Sequence, residues 1–245
     1  FDETYYAKDA WTLLHLGYEG SWPKDANDQI VAGVIDIFTD APSFIVHPQL
    51  GKWLIASGEY VFGMNSFGWR IASVVFGTLL VMATIRMARR LSRSTLVGAM
   101  AGLFITVDGL SFVMSRIALL DIFEAAFTVM AVACMVADRD WFRHKLAGYL
   151  RANGLTDLQG GYGPLLLWRP WRWTAGLMFG LAIGTKWNAM YVLAAMGIMA
   201  VVYDVSSRRT AGASTKAFKS LFLDAPMAFI SMVVTAGLVY VATWW

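Results

Sequence analysis

Apolar residues occur along the chain in runs that are long enough to cross a bilayer, with polar and charged residues between them. These runs predict six membrane spans, at residues 69–87, 96–114, 117–137, 173–186, 188–203 and 225–243. The stretch 173–203 has a second interpretation, in which it forms one overlong helix. Either interpretation predicts an all-α integral membrane protein built as a multi-span helical bundle.

The positions of Lys and Arg decide between the two interpretations. With six spans, the loops within residues 86–93, 139–172 and 208–219 lie on one side and hold most of the 20 Lys and Arg residues. The positive-inside rule makes this side cytoplasmic. A single helix over residues 173–203 would move the third basic loop to the opposite side, so the chain is predicted to turn within residues 184–188.

The remaining cations lie on the predicted outer side, against the general bias: Lys8, Lys24, Lys52, Arg70, Arg116 and Lys186. Three of them, Arg70, Arg116 and Lys186, come from the ends of different spans and meet at one membrane level. Charges at this level are costly unless they are paired or hold a negative group. The second and third spans supply acidic partners toward the same end: Asp108, Asp121 and Glu124.

The first 68 residues carry nine carboxylates and no spanning run, which predicts a long outer segment before the bundle of residues 69–245. Residues 1–17 repeat apolar side chains on one helical face, and residues 50–61 do so again. The second of these helices is predicted to lie in the membrane interface, where Trp and Tyr anchor well. Residues 22–42 between them are polar and are predicted to form a loop.

Both ends of the chain indicate a fragment of a longer protein. The chain begins at Phe1 without Met or a signal peptide, and it stops at Trp245 directly after an apolar run. We therefore expect a missing first span and further spans beyond the last residue.

Composition supports the membrane assignment and excludes other classes. Hydrophobic residues make up 58% of the 245 residues and charged residues only 15%, which is too little polar surface for a soluble domain. The net charge of +3 is small and the basic residues lie beside apolar runs, so no nucleic-acid partner is predicted. Cys134 is the single cysteine, which excludes an internal disulfide.

Two parts of the outer segment carry candidate functional residues. A carboxylate at Asp2 or Glu3 could act as general base for a hydroxyl acceptor, although two solvated loop acids are the alternative. His47 and Lys52 flank the start of the interfacial helix, where Gly51 permits close approach of a ligand. Lys52 either presents a cation at headgroup level or snorkels to water as an anchor.

Two turns between spans carry further candidates. Arg116 and Asp121 either form a structural ion pair or contact a ligand, since charges within membranes usually have partners. Lys186 lies in a helix break at membrane depth, which is tolerated where it lines a cavity or packs in protein. Asp121 and Glu124 share a helix face, but two carboxylates alone do not define a metal site, and the sequence contains no known metal or nucleotide motif.

Five segments, in this order along the chain, together resemble the protein O-mannosyltransferase family, whose members use a polyprenyl-phosphate-mannose donor. The segments are residues 1–6 (FDETYY), 47–52 (HPQLGK), 69–71 (WRI), 115–121 (SRIALLD) and 185–187 (TKW). The actinobacterial branch, with a decaprenyl donor, is the most similar. The family usually has His-Pro-Pro-Leu-Gly-Lys, whereas this chain has Gln49 in place of the second proline.

The resemblance implies a membrane fold of the glycosyltransferase C type, with its active site on the extracytoplasmic face of the plasma membrane. It implies that mannose is transferred from the lipid donor to Ser or Thr hydroxyls of an acceptor polypeptide, which the secretion machinery could deliver. The reaction would invert the donor linkage in a single displacement.

The mechanism that fits both the charges and the resemblance needs one base and several cations. Asp2 is the predicted base, and Glu3 positions the acceptor or tunes Asp2. Lys52, Arg70 and Lys186 are the predicted ligands of the donor phosphate, because charge grows on this group as the glycosidic bond breaks.

Three more residues complete the predicted site. Arg116 and Asp121 are predicted to pair and to shape the cavity, and His47 is a further candidate. The phosphate leaving group needs no general acid, so the scheme requires neither a metal nor another cofactor.

Other functions use the same features. A flippase or transporter of a lipid-linked anion would use buried cations and a broken helix, but it would place charges along a path through the membrane. A non-catalytic membrane subunit would bind lipid phosphate without needing a base. A transferase of the same fold could move another sugar or use another acceptor.

Overall fold

The computed structural model describes residues 2–244 as a helical bundle with one small sheet near the start of the chain. Its α-helices in chain order are α1 (Asp2–Leu16), α2 (Ala26–Val31), α3 (Leu50–Phe62), α4 (Ser66–Ser92), α5 (Thr95–Val107), α6 (Gly109–Met114), α7 (Asp121–Ala152), α8 (Pro170–Ile183), α9 (Ala189–Arg208), α10 (Ser220–Leu223), α11 (Ala225–Phe229) and α12 (Thr235–Ala242). Wider or tighter helical turns occupy Arg209–Ala213, Ser214–Lys219 and Ile230–Val234. Phe1 and Trp245, at the predicted ends of the first helix and of the bundle, lie outside the described residues.

Three helical stretches of the described chain are long and apolar enough to cross a membrane, namely Ser66–Ser92, Ala189–Leu223 and Ala225–Ala242. A shorter apolar helix, α5, follows the first of them. Helices make up most of residues 2–244, and the strands account for only a few. This architecture confirms the predicted all-α membrane fold.

Two predicted spans differ from the helices that form. The span predicted at residues 96–114 is interrupted at Asp108, whose carboxylate accepts a hydrogen bond from the Ser111 N–H at 2.8 Å and so starts the new helix α6. The span predicted at residues 117–137 begins later, at Asp121, and its helix continues to Ala152. The pattern of apolar residues predicts neither a helix break caused by a capping side chain nor the continuation of a helix into a polar segment.

Helices α8 and α9 are separate and antiparallel, as the distribution of Lys and Arg predicts. Arg172 in the first turn of α8 lies 3.0 Å from Asp204 near the end of α9. The chain must therefore reverse direction between them, within residues 184–188. This observation confirms two helices rather than one overlong helix.

The outer segment is more structured than its polar sequence predicts. Helices α1 and α3 form where apolar periodicity places them. The predicted loop at residues 22–42 instead contains α2 and strand β2 (Thr39–Pro42), which pairs antiparallel with β1 (Gly20–Ser21). Gly20 permits this pairing, because a Cβ atom there would lie 2.9 Å from the Thr39 carbonyl oxygen.

Small residues bring the spans close together in the middle of the bundle. A side chain at Gly176 of α8 would collide with the backbone of Ser231, so α8 packs directly against the turns Ile230–Val234. Around this contact, Phe179 and Met232 form part of a fully apolar cluster. Charged residues are therefore confined to the two ends of the bundle in this region.

Candidate active site

One end of the bundle, at which α4, α7 and α9 begin, is called the outer end after its predicted side. The opposite end, where α8 begins and α9 ends, is the inner end. At the outer end, hydrogen bonds join the first 68 residues to the turns between the spans. The Ala118 N–H donates to Glu3 at 3.0 Å, and the Leu50 N–H donates to the Gly184 carbonyl at 3.1 Å. Gly51 fits beneath Leu120, since a Cβ atom would lie 2.7 Å from that side chain. The turns predicted to carry candidate residues thus meet in one place.

Glu3 and Arg70 form the best-defined pair of the outer end. The Arg70 Nε and Nη2 atoms each donate to one carboxylate oxygen of Glu3 at 2.7 Å. Burial alone would raise the pKa of Glu3, but the hydrogen bonds from Arg70 and from the Ala118 N–H outweigh it and lower that pKa. Glu3 is therefore an ionised anchor that fixes a guanidinium and the loop before α7.

Asp2, next in the chain to this anchor, is exposed to solvent at the start of α1. Its charge acts on two neighbouring rings. Burial, followed by the charges of Asp2 and Asp121, raises the pKa of Tyr6 to about 12. Burial and the positive charges of Lys186 and Lys52 lower the pKa of His47, against the opposing effect of the carboxylates. The charge of Asp2 therefore acts on both the Tyr6 phenol and the His47 imidazole.

Lys52 is enclosed by other parts of the outer segment. Its side chain is fully buried, and Nζ lies 2.8 Å from Asp9 and 3.0 Å from Glu19. The Gln49 side chain donates to the second oxygen of Glu19, and the Lys52 Nζ lies 5.5 Å from the centre of the Tyr5 ring. This geometry does not support the phosphate contact predicted for Lys52, because two carboxylates already neutralise and enclose the ammonium group.

The predicted pair of Arg116 and Asp121 is also not formed. Asp121 instead pairs with Lys186, whose Nζ lies 2.7 Å from its Oδ1 atom. The Arg116 guanidinium is exposed and lies over the Phe112 ring at 4.6 Å. The predicted span began at residue 117, directly after Arg116, but residues 115–120 are irregular and α7 starts only at Asp121.

The inner end holds a second charge cluster that sequence reasoning missed. Arg169 and Arg172 both contact Asp138 and Asp204, at distances between 2.6 and 3.1 Å. Beside this cluster, Arg208 forms a separate ion pair with Asp224 at 3.0 Å. A sequence signal was available, since two acids end apolar runs and two arginines three apart begin another.

The outer end combines an exposed carboxylate with cations that are held in place but remain partly open. Such an arrangement can remove a proton from a hydroxyl group and stabilise a phosphate within the same site. Among residues 2–244, no group of three or more His, Cys, Asp or Glu side chains is arranged to hold a metal ion. The long apolar helices define a membrane protein, and the candidate site lies at one end of its bundle.

Comparison with known sequences identifies the family. A sequence model described as dolichyl-phosphate-mannose-protein mannosyltransferase matches residues 39–156. A polyprenol-phosphate-mannose–protein mannosyltransferase of Mycolicibacterium smegmatis is 43% identical over 85% of this chain, and one of Corynebacterium glutamicum is 34% identical over 100% of it. These matches confirm the predicted relationship with the protein O-mannosyltransferase family and with its actinobacterial members.

The chain spans less than half the length of these relatives. The chain covers 37% of the M. smegmatis protein and 44% of the C. glutamicum protein. An undecaprenyl phosphate-alpha-4-amino-4-deoxy-L-arabinose arabinosyl transferase of Pseudomonas aeruginosa is 54% identical over 46 residues, which is 19% of this chain and 8% of that protein. No solved structure matches the chain significantly.

Proposed function

We propose that the protein transfers mannose from a polyprenyl-phosphate-mannose donor to Ser or Thr hydroxyls of proteins at the extracytoplasmic face of the plasma membrane. The observation that carries this proposal is the exposed Asp2 beside the fixed Glu3–Arg70 pair. The printed names of the relatives support the donor and the protein acceptor. The prenyl tail would lie between the spans, and an acceptor segment would arrive from the secretion machinery.

Asp2 is the proposed general base. Its carboxylate takes the proton of the acceptor hydroxyl as that oxygen attacks the anomeric carbon of mannose. The bond from this carbon to the phosphate oxygen breaks, and its electron pair leaves with the polyprenyl phosphate. A single displacement of this kind inverts the anomeric configuration.

Arg70 and Lys186 are the proposed phosphate ligands. Each is bound to one carboxylate but is partly open, with 40% and 18% of the side chain exposed, so further N–H groups can reach a phosphate. Arg116, exposed at the same end, is a third available cation. Their positive charge stabilises the phosphate as its charge grows in the transition state.

Glu3 is a positioning residue in this scheme. It binds Arg70 through two hydrogen bonds and holds the loop before α7 through the Ala118 N–H. A guanidinium fixed by two bonds keeps its orientation when the phosphate arrives, which reduces the reorganisation needed during reaction.

Asp2→Asn in the full-length protein tests the proposal. Removing a general base lowers turnover by about 10²–10⁴-fold, while binding of the lipid donor, measured in parallel, should persist. Asp28→Asn removes another exposed carboxylate of the outer segment and serves as the matched control. Glu3→Gln loosens the orientation of Arg70 and should lower kcat less than Asp2→Asn does, while also raising the KM for the donor. Normal transfer by Asp2→Asn would remove the base from the mechanism and leave a non-catalytic binding role.

No metal takes part in the proposed reaction, because the phosphate leaving group is stabilised by side-chain cations. Transfer by the purified protein should therefore be unchanged after dialysis against EDTA. Activity that is lost on chelation and restored by Mg²⁺ or Mn²⁺ would contradict this part of the scheme.

A transferase of the same fold for another sugar is the second candidate, supported by the short match to the arabinosyl transferase. Assays with polyprenyl-phosphate-mannose and with the aminoarabinose donor would separate the two. A flippase is less well supported, since the middle of the bundle around Phe179 is apolar. Movement of labelled donor across vesicle membranes, without transfer, would favour that function.

A further inference from the structure

An open groove of about 540 Å³ lies on α9 near the inner end of the bundle. Aliphatic side chains of the last turns of α9, Val201, Val202 and Val205, form most of its wall. Leu221 of α10 closes the opposite side. Polar side chains are confined to one part of the lining: Ser206, Arg209 and Thr210. The groove is therefore amphipathic along its length.

The length of α9 places this groove at a definite depth. The helix begins directly after the Lys186 turn at the outer end and has 20 residues. At 1.5 Å per residue it is about 30 Å long, which matches the hydrocarbon thickness of a bilayer. Arg209 thus reaches the headgroup level of the opposite leaflet, and Val201 lies about 12 Å deeper in the hydrocarbon.

Two neighbouring arginines differ in how their charge is used. Arg208 is fully buried and pairs with Asp224 at 3.0 Å. Arg209 is exposed, and its guanidinium lies over the Phe218 ring at 5.8 Å. In the part of the chain that the structure describes, no carboxylate forms an ion pair with Arg209. Its charge is available to an anion at the end of the groove.

A kink after α9 arranges more positive and apolar side chains beside the groove. Gly212 has φ +95°, and its carbonyl accepts a hydrogen bond at 2.9 Å from the N–H of Gly160, in the segment between α7 and α8. The following turns expose Lys216 and Lys219 together with apolar side chains: Phe218, Leu221 and Phe222. Exposed aromatic and basic residues on one short segment are typical of a membrane interface.

We propose that this groove binds one acidic glycerophospholipid of the leaflet opposite the proposed active site. One acyl chain would lie along Val201, Val202 and Val205, where water has no hydrogen-bond partners. The phosphate would bind Arg209 and Thr210, since a guanidinium binds phosphate oxygens through two N–H groups. Lys216 and Lys219 are not needed for a zwitterionic lipid, and their charge favours an acidic headgroup.

Binding of fluorescent phosphatidylglycerol and phosphatidylcholine to the full-length protein in neutral detergent tests the proposal. Phosphatidylglycerol should bind more tightly, and Arg209→Gln should weaken its binding about fivefold, as expected for one basic residue near an acidic headgroup. Arg86→Gln removes an exposed arginine of α4 from the same end and should have little effect. Equal binding of the two lipids, or equal effects of the two substitutions, would overturn the proposal.

A second pair of variants tests the groove itself. Val202→Trp fills it at an exposed position and should weaken binding of both lipids, whereas Val74→Trp on the exposed face of α4 should not. Thermal unfolding shows whether each variant is folded. Lipid binding that is unchanged in folded Val202→Trp would exclude the groove as the lipid site. The groove would then be an interface for another segment or for a second copy of the chain.

Discussion

The inner and outer ends of the bundle hold their charges in different ways. At the inner end, Arg169, Arg172, Asp138 and Asp204 form a closed network in which each arginine contacts both carboxylates. No side chain of the four is more than 4% exposed. At the outer end, by contrast, 40% of the Arg70 side chain is exposed although it forms two hydrogen bonds to a carboxylate.

The difference separates a structural role from a binding role. A closed network in a low-dielectric interior is shielded from ligands, and breaking it leaves an uncompensated buried charge. An open pair keeps its orientation but can add a ligand on the solvent side. Residue type is the same at both ends, so exposure and completeness of pairing decide which function a cation can serve.

The largest expected effect comes from the same substitution made once at each end. Arg172→Met leaves the two buried carboxylates, Asp138 and Asp204, with Arg169 as their one remaining cation, and this uncompensated buried charge should destabilise the protein by about 3–5 kcal/mol. Arg70→Met leaves the largely buried Glu3 carboxylate with the Ala118 N–H as a donor and should cost about 1–3 kcal/mol of stability, while transfer is lost. Thermal unfolding in detergent and the mannose-transfer assay measure the two effects.

The comparison fails if the two variants behave alike. A stable but inactive Arg172→Met protein would show that the inner network takes part in function. An unfolded Arg70→Met protein would show that the outer pair is structural, and loss of transfer there would then say nothing about phosphate binding.

Lys52 gives the next largest effect and tests the role predicted from sequence. Lys52→Met should destabilise the protein by about 2–4 kcal/mol, because Asp9 and Glu19 lose their buried partner. Combining it with Asp9→Asn and Glu19→Gln should recover stability and transfer. A triple variant that folds but does not bind the donor would support the original prediction that Lys52 contacts the donor phosphate.

Glu59 of α3 makes stability depend on pH. Its side chain is buried, neither carboxyl oxygen has a hydrogen-bond partner among the described residues, and burial raises the pKa of Glu59 to about 9. The unfolded chain releases this proton near pH 4.5, so the folded state binds more protons between pH 4.5 and 9. Its stability should therefore fall as pH rises through this range, by at most about 1.4 kcal/mol per pH unit.

Glu59→Gln isolates this contribution. The amide cannot ionise, so the variant should lose less stability than the wild type between pH 6 and pH 8.5 in thermal unfolding. Asp28→Asn, at an exposed position, should follow the wild-type curve. Parallel curves for wild type and Glu59→Gln would show that the carboxyl is ionised or solvated in the folded protein.

Local patterns in the sequence predicted the helices of this fold well. Apolar periodicity located α1 and α3, a long apolar run located α4, and the imbalance of Lys and Arg predicted the turn between α8 and α9. These features depend on residues close together in the chain or on the net charge of whole loops. The gathering of candidate residues at one end followed from the same topology.

Pairing between distant residues could not be predicted in this way. Lys52 binds acids that precede it by more than thirty residues, and Lys186 pairs with Asp121, the carboxylate predicted to pair with Arg116. Neither choice is visible in periodicity, because each depends on how helices pack in three dimensions. The polar stretch containing α2 and β2 was missed for the same reason, since it is held by hydrogen bonds from Lys8 and Trp11 of α1 and by pairing with β1.

The smallest expected effect concerns an exposed pair at the inner end, and it tests whether exposure is the decisive variable. Arg90 of α4 lies 3.5 Å from Asp140 of α7, with 44% and 37% of the side chains exposed. Arg90→Gln should change stability by no more than about 0.5 kcal/mol and should leave transfer intact, since solvent screens such pairs. A double-mutant cycle with Asp140→Asn measures the pair itself. A coupling above about 1.5 kcal/mol would mean that position at the inner end, rather than burial, makes the charges there structural.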